Sequence, residues 1–336
     1  MPDALTALLK DRDWLLADGA TGTILFNMGL TAGDAPEFWN ETDVDKVRAL
    51  YQGSVDAGSD LFLTNTFGGN AARLKLHDAG HRAGDLSRMG AEIGREIADK
   101  AGRPVIVAGS MGPTGEIMAP MGPLTHESAV EIFHQQAEGL KAGGADVLWV
   151  ETISAPEELK AAAEAAALAD MPWCVTMSFD TAGRTMMGTT SEAMTRLVSK
   201  LPNPPVAYGA NCGVGASDLI RTVMGFGPGL PVIAKGNAGI PKYHDGHIHY
   251  DGTPELMAEY AVMARNAGAT IIGGCCGTTP DHLRAMRAAL ETTARGPAPD
   301  LAVVADTLGG FSSDSDGTDG RGPTRDRSKS RRRSRA

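Results

Sequence analysis

Eight short apolar, β-rich runs, each followed by a segment with helical spacing, predict an α/β chain closed into a (β/α)8 barrel, the TIM barrel. The runs are "WLLADGA" (14–20), "DLFLTNTF" (60–67), "PVIVAGSMG" (104–112), "DVLWVETI" (146–153), "PWCVTMSF" (172–179), "PVAYGANC" (205–212), "PVIAKGNAG" (231–239) and "ATIIGGCC" (269–276). Each is nearly continuous in apolar residues rather than alternating, as parallel strands covered on both faces are. Strand–helix alternation eight times over, ending near residue 293, matches the barrel in number and length. An open doubly wound sheet is the competing layout.

The segments between the runs are amphipathic and rich in helix formers. In "SAPEELKAAAEAAALA" (154–169), Ser154 can cap a helix, Pro156 suits its first turn, and Glu157 and Glu158 complement the positive end of the helix dipole. "HESAVEIFHQQAEGLKAGGA" (126–145) closes on glycines just past its last turn, a stop signal. The chain thus divides into a barrel, 1–295, and a tail, 296–336, that is Gly/Ser/Asp-rich and then Arg-rich. Such a composition buries too little apolar surface to fold, so the C-terminal tail is expected to be disordered.

The chain of 336 residues carries a net charge of −10; the tail holds eight basic and six acidic side chains, so the barrel before it is the acidic part. An acidic barrel argues against nucleic acid or an anionic membrane as its main partner. The start, "MPDALTALLKDRDW", places charges where a secretion signal needs an apolar core. No stretch approaches the roughly 20 apolar residues of a membrane span. Four cysteines are too few for a disulfide scaffold, which points to a reducing cytoplasm.

In such a barrel the chemistry sits where the strands end. Strand one ends in "ADGATGT", strand two in "TNTFGGN", strand four in Glu151, strand six in "GANCG", strand seven in "KGNAG" and strand eight in "GGCCG". Asp18, Asn65, Glu151, Cys212, Asn237, Cys275 and Cys276 are therefore predicted on one rim. Strands six and eight are separated only by strand seven, so Cys212 can reach the Cys275–Cys276 pair. Three thiolates at about 2.3 Å from a zinc ion leave one tetrahedral position open, as in a working rather than a sealed site. The alternative is three inert buried thiols, but glycine flanks supply close approach rather than packing volume. Cys174 falls in mid-strand and reads as buried packing.

A zinc ion with three sulfur ligands is a poor generator of hydroxide and is better suited to capturing and deprotonating an incoming thiol. Glu151 could hold a substrate ammonium, and the Asp18 turn could direct backbone N–H groups at a substrate carboxylate. The chemistry indicated is alkylation of an amino-acid thiol. A non-catalytic zinc–thiolate sensor is the reading from another class; it has no use for Glu151. "HDGHIHY" (244–250), with His247 and His249 alternating, reads as a solvated loop beyond strand seven.

These residues resemble the homocysteine S-methyltransferase family through "DGATGT" (18–23), "TNTFGGN" (64–70), "GSMGPTG" (109–115), "ET" (151–152), "GANCG" (209–213) and "GGCCGTTPDH" (273–282). The resemblance implies a zinc-dependent barrel, one Zn2+ per chain, that methylates L-homocysteine to L-methionine. Cys212, Cys275 and Cys276 would bind the metal, and the homocysteine sulfur would complete its ligand set and attack the donor methyl in line. Asp18, Gly19 and Glu151 would hold the amino-acid end, and Asn237 matches a position whose amide can occupy the zinc until substrate arrives.

For the small methyl donor, the chain resembles bacterial proteins of the betaine–homocysteine type, which share "DGATGT" and "APEEL". Trp39, Asn65 and Phe67 are the donor-side candidates. Gly68 and Thr152 stand where animal relatives of that type carry tyrosines that face a quaternary ammonium. The homocysteine half of cobalamin-dependent methionine synthase is also similar. No "DxHxxG" cobalamin motif occurs, so that route would require a separate cobalamin-binding protein. An oligomer is compatible with either reading.

Overall fold

The structure is a computed structural model; it describes residues 3–180, 182–239, 242–244 and 247–315, with backbone alone for 242–244 and 247–249. The strands are β1 (Leu15–Leu16), β2 (Leu61–Leu63), β3 (Ile106–Met111), β4 (Val147–Ile153), β5 (Trp173–Met177), β6 (Ala207–Cys212), β7 (Val232–Gly236), a short antiparallel ribbon of β8 (Lys242–His244) and β9 (His247–His249), and β10 (Ala269–Gly274). All but the ribbon form one eight-stranded parallel sheet in the order β1-β10-β7-β6-β5-β4-β3-β2. Helices follow the strands, giving the predicted (β/α)8 barrel rather than an open doubly wound sheet.

The barrel nearly closes between β1 and β2, and carboxylates do part of the closing. The Asp60 N–H donates to Leu16 O at 2.7 Å, and the Leu16 N–H donates to Asp60 Oδ2 at 2.9 Å. Higher up, the Leu63 N–H donates to Asp18 Oδ2 at 2.9 Å. Side-chain oxygens thus take the place of ladder carbonyls, which is why β1 and β2 are much shorter than their apolar runs suggest.

Successive strand residues point to opposite faces, and the sequence uses this alternation in layers. Leu15, Leu61, Ile106, Val147, Trp149, Cys174, Ala207, Ile233 and Ile271 fill the barrel interior as one buried apolar cluster. Leu5 of the helix Ala4–Asp11 joins it. Cys174 is 0% exposed there, and burial pushes its thiol well up, so it is packing and no ligand. Residues of the opposite face, among them Leu148, Val150 and Val175, belong to the larger cluster shared with the helices. Toward the C-terminal strand ends the buried layer turns polar, with Ser110, Glu151, Thr176, Asn211 and Lys235. That change marks the working end.

Two local expectations are corrected. The helix Pro156–Leu168 has Ala155, not Ser154, as its N-cap, with no side-chain cap. Glu158 does not merely face the helix dipole: it is buried, and its Oε1 accepts both the Thr114 N–H and the Thr114 hydroxyl at 2.7 Å. It therefore ties the "GSMGPTG" loop to that helix. The His247–His249 segment, expected as a loop, is the β9 strand; its side chains lie outside the described residues.

The tail also departs from expectation. Residues Leu301–Leu308 form a helix capped by Asp300, with Val304 and Leu308 buried beside the helices Ala216–Met224 and Pro254–Asn266. Beyond it, the Arg221 guanidinium lies 4.4 Å from the Phe311 ring centroid and donates to Ser313 O at 2.8 Å. The Ser312 N–H donates to Asp218 Oδ2 at 2.9 Å. Two apolar side chains one helical turn apart suffice to dock this stretch, despite its Gly/Ser surroundings. The rest of the predicted tail, 316–336, lies outside the described residues. Among the described residues no helix is long and apolar enough to cross a membrane.

Leu308→Ala is expected to lower stability by about 2 kcal/mol, the low end for a buried leucine, seen as an earlier midpoint in chemical denaturation. An unchanged midpoint would show that the helix does not dock in solution.

Candidate metal and substrate site

β6 ends at Cys212, and β10 delivers Cys275 and Cys276 just past its last residue. Gly236 of β7 pairs with Cys212 on one side and Gly274 on the other, so both cysteine segments stand at the same height. The Cys275 N–H donates to Gly236 O at 2.7 Å, locking the second segment to β7. Cys212 adopts a left-handed backbone, φ 61°, followed by Gly213 at 72°. A non-glycine residue held there costs about 1–3 kcal/mol and typically marks a functional turn. The three sulfurs lie within 4.8 Å of one another, and all three residues are half-buried.

The donor set fits a zinc ion: tetrahedral Zn–S bonds of about 2.3 Å place sulfurs about 3.8 Å apart, compatible with three sulfurs that all lie within 4.8 Å of one another. Contact with Cys275 favours the Cys212 thiolate, but its bond to Cys276 and burial prevail and push that thiol up to about 11. Cys276, helped by Cys212 but opposed by Cys275 and burial, is pushed up to about 12. Cys275 moves the same way. Three clustered thiols resist ionisation, and a divalent cation among them reverses that balance.

Asn237 sits between the two cysteine segments. Its Oδ1 accepts the Cys276 N–H at 3.1 Å, and its Nδ2 donates to Gly213 O at 3.0 Å. The amide expected as an exchangeable ligand therefore also joins the ligand-bearing loops. Tyr250, just after β9, engages the Cys276 sulfur through its side chain.

Glu151 is 9% exposed at the same mouth, with Oε1 accepting the Ser110 hydroxyl at 2.6 Å. Its Oε2 has no hydrogen-bond partner among the described residues. Burial pushes its carboxyl up, while the charge of Lys235 and the Ser110 bond pull it back. Asp18 reaches the rim as expected, but its carboxylate is engaged on both oxygens, by the Lys235 ammonium and by the Leu63 N–H. Its carbonyl accepts the Gly274 N–H at 2.9 Å. Gly19 passes so close to the next segment that a Cβ would lie 2.6 Å from Thr278 O. The Gly19 N–H is unpartnered among the described residues.

The donor-side candidates have other engagements. Asn65 is buried, with its Nδ2 donating to Pro36 O and Asn40 Oδ1, which fastens the long first loop to the end of β2. Trp39 packs in the outer cluster with Leu25, Val47 and Tyr51, and the Lys46 ammonium covers its ring at 4.1 Å. Phe67 is half-buried between the loops after β2 and β3, its ring so near Gly112 that a Cβ there would lie 2.7 Å away.

Two residues of the polar layer were not anticipated. Asn211, fully buried, accepts from the Thr152 N–H at 3.0 Å and the Thr176 hydroxyl at 2.7 Å, and donates to Thr152 Oγ1 at 2.8 Å. Its Nδ2 also lies 3.9 Å from Cys275 Sγ. Thr152, with φ 62°, is thus bent around Asn211. Lys235 is the second: burial would lower its ammonium, but Asp18 and Glu151 hold it above its ordinary value. The signal was a single cation inside the apolar run "PVIAKG".

Fold and site together define a barrel with a cluster of three thiols and a carboxylate at its mouth. The homocysteine S-methyltransferase family model matches residues 15–290, and the chain belongs to that family. Among its relatives, the methionine synthases of Mycobacterium leprae and Mycobacterium tuberculosis are each 32% identical, over 85% and 84% of this chain respectively. The chain spans only 25% of the length of each. The homocysteine methyltransferase MmuM from Escherichia coli, in its oxidized form, superposes with a TM-score of 0.69 at 25% identity, covering 85% of this chain and 99% of that one.

Asn211→Ala leaves Thr152 and Thr176 without their partner and is expected to cost about 1–3 kcal/mol, read as a lower denaturation midpoint. A midpoint equal to that of the parent would refute the network.

Proposed function

We propose that the chain is a zinc-dependent S-methyltransferase that converts L-homocysteine to L-methionine. One observation carries this reading: three sulfurs within 4.8 Å of one another share a barrel mouth with a carboxylate, Glu151, that has an oxygen to spare. Cys212, Cys275 and Cys276 would hold the zinc. Bound there, zinc supplies thiol activation, making an incoming sulfhydryl ionise at neutral pH while it stays nucleophilic.

The remaining work belongs to the chain. Glu151 Oε2 accepts the substrate ammonium, and the Gly19 N–H faces its carboxylate. Asp18 holds the turn that presents that N–H. Asn237 keeps the two cysteine segments in register and is the candidate for an exchangeable ligand. Once sulfur and donor methyl are aligned and water is excluded, transfer needs little further chemistry from the protein. Three free thiols at one site are compatible with a reducing cytoplasm.

The donor we favour is betaine or a similar small onium compound. A single barrel accounts for 99% of the E. coli homocysteine methyltransferase chain, so the fold is used without further modules in that protein. The second reading takes the methyl group from a cobalamin-binding partner protein; it is favoured by the methionine synthase relatives, of which this chain spans a quarter. Trp39, Asn65 and Phe67 remain donor-side candidates chiefly through Phe67, because the other two side chains are engaged elsewhere. A zinc–thiolate sensor is disfavoured, since it would leave Glu151 without a purpose.

The test is methionine formation from homocysteine by the zinc-loaded chain with betaine, S-methylmethionine, dimethylsulfoniopropionate or methylcobalamin. Turnover with an onium donor supports the favoured reading, turnover with methylcobalamin alone selects the second, and homocysteine binding undiminished by zinc removal refutes sulfur activation. Cys276→Ala is expected to lose the bound zinc and with it turnover; retained metal would remove Cys276 from the ligand set. Glu151→Ala should raise the homocysteine KM at least tenfold, roughly the effect of one buried charged contact, while zinc content stays constant. Loss of metal instead would show that Glu151 supports the cluster rather than the substrate.

A further inference from the structure

Lys235 is 2% exposed and stands on β7 at an inward position, above Ile233 and two residues before Asn237. A cation so deep is tolerated only when it is paired. Its ammonium donates to Asp18 Oδ1, while Asp18 Oδ2 takes the Leu63 N–H. One ion pair therefore links β7 to β1 and β2, reaching across the strand between them and the seam of the barrel. The ammonium has three N–H donors, and Asp18 is its hydrogen-bonding partner among the described residues. The ring centroid of Trp149 lies 5.9 Å from Nζ, beneath the mouth. Glu151 and Cys275 are the other negative or ionisable groups that act on it.

This arrangement has a consequence for charge. Homocysteine with an ionised sulfur brings one ammonium and two negative groups. A mouth in which Asp18 and Glu151 were both uncompensated, beside three thiolates, would repel it. Resting on the function proposed above, we propose that Lys235 is a positioning residue for the amino-acid end of homocysteine: it cancels the charge of Asp18, whose other oxygen the Leu63 N–H holds, so that Glu151 is the single uncompensated carboxylate facing the substrate ammonium. The Gly19 N–H, next along the chain, then faces the substrate carboxylate. Neither the family match nor the metal cluster requires a lysine here; the need arises from the buried Asp18.

The test measures homocysteine Kd by calorimetry, with zinc content alongside, for the zinc-loaded parent, Lys235→Met and the double variant Asp18→Asn/Lys235→Met. The single variant should bind homocysteine at least roughly tenfold more weakly with its zinc retained, and the double variant should return to within about threefold of the parent because charge balance is restored. A structural role alone would leave the double variant as weak as the single, and that result overturns the proposal, as does a single variant with the parent's Kd. Should Lys235→Met fail to fold, the double variant decides: a Kd near the parent's supports the proposal and a tenfold weaker one overturns it. A zinc-loaded parent that binds no homocysteine overturns the proposed function and this inference together, whereas a binding parent with unresponsive variants overturns the inference alone.

Discussion

The site depends on the pairing of β7 with a strand on each side. Gly236 is shared by β6 and β10, and that register alone brings Cys212 level with Cys275 and Cys276, residues separated by about sixty positions of chain. Had the sheet been open with these strands apart, the same three cysteines would be unrelated thiols. Glycine at 236 matters for packing as well, since a Cβ there would meet the Tyr260 ring at 2.8 Å. The adjacency of β6, β7 and β10 is therefore the condition for the cysteine cluster, while the carboxylates of Asp18 and Asp60 help to close the barrel at the β1–β2 seam.

Below the mouth the interior is apolar and supplies stability; at the mouth it is polar and supplies function. The boundary runs between Trp149 and Glu151 on β4, and between Ile233 and Lys235 on β7. Buried polar groups are costly unless satisfied, and nearly all of this layer is paired: Ser110 with Glu151, Thr176 with Asn211, Lys235 with Asp18. Around it Trp149 Nε1, Tyr260 OH and Thr278 Oγ1 are buried without partners among the described residues, and at the mouth itself Glu151 Oε2 and the Gly19 N–H, a carboxylate oxygen and a backbone donor, are also free. Those last two are the groups an amino acid's charged ends require.

Much of this was legible in the sequence because strand ends are legible. The apolar runs place every barrel strand, and two of the polar residues that end them, Glu151 and Cys212, stand at the C-terminal ends of their strands. What was hidden has physical reasons. Pairing partners such as Asp18 with Lys235 are set by tertiary geometry across 217 positions, which no local pattern encodes. Lys235 lies within an apolar run, where a lone cation gives no local sign of its distant partner. The docked helix Leu301–Leu308 was masked by its Gly/Ser/Asp surroundings, although Val304 and Leu308 already carried helical spacing. Ser154 looked like a cap but was displaced by one residue, because Pro156 sets the first helical position.

The relatives frame the remaining question of what delivers the methyl group. In the mycobacterial methionine synthases a barrel like this one is a quarter of the protein, and in the E. coli enzyme it is nearly the whole. Under the proposed function either arrangement asks the same thing of this chain, a metal held by three sulfurs with access for a fourth. X-ray absorption at the zinc edge, on protein purified under reducing conditions, tests that most directly. The account predicts three Zn–S contacts near about 2.3 Å, rising to four when L-homocysteine is added. Protein that carries no zinc, or zinc coordinated mainly by nitrogen and oxygen and indifferent to homocysteine, would contradict it.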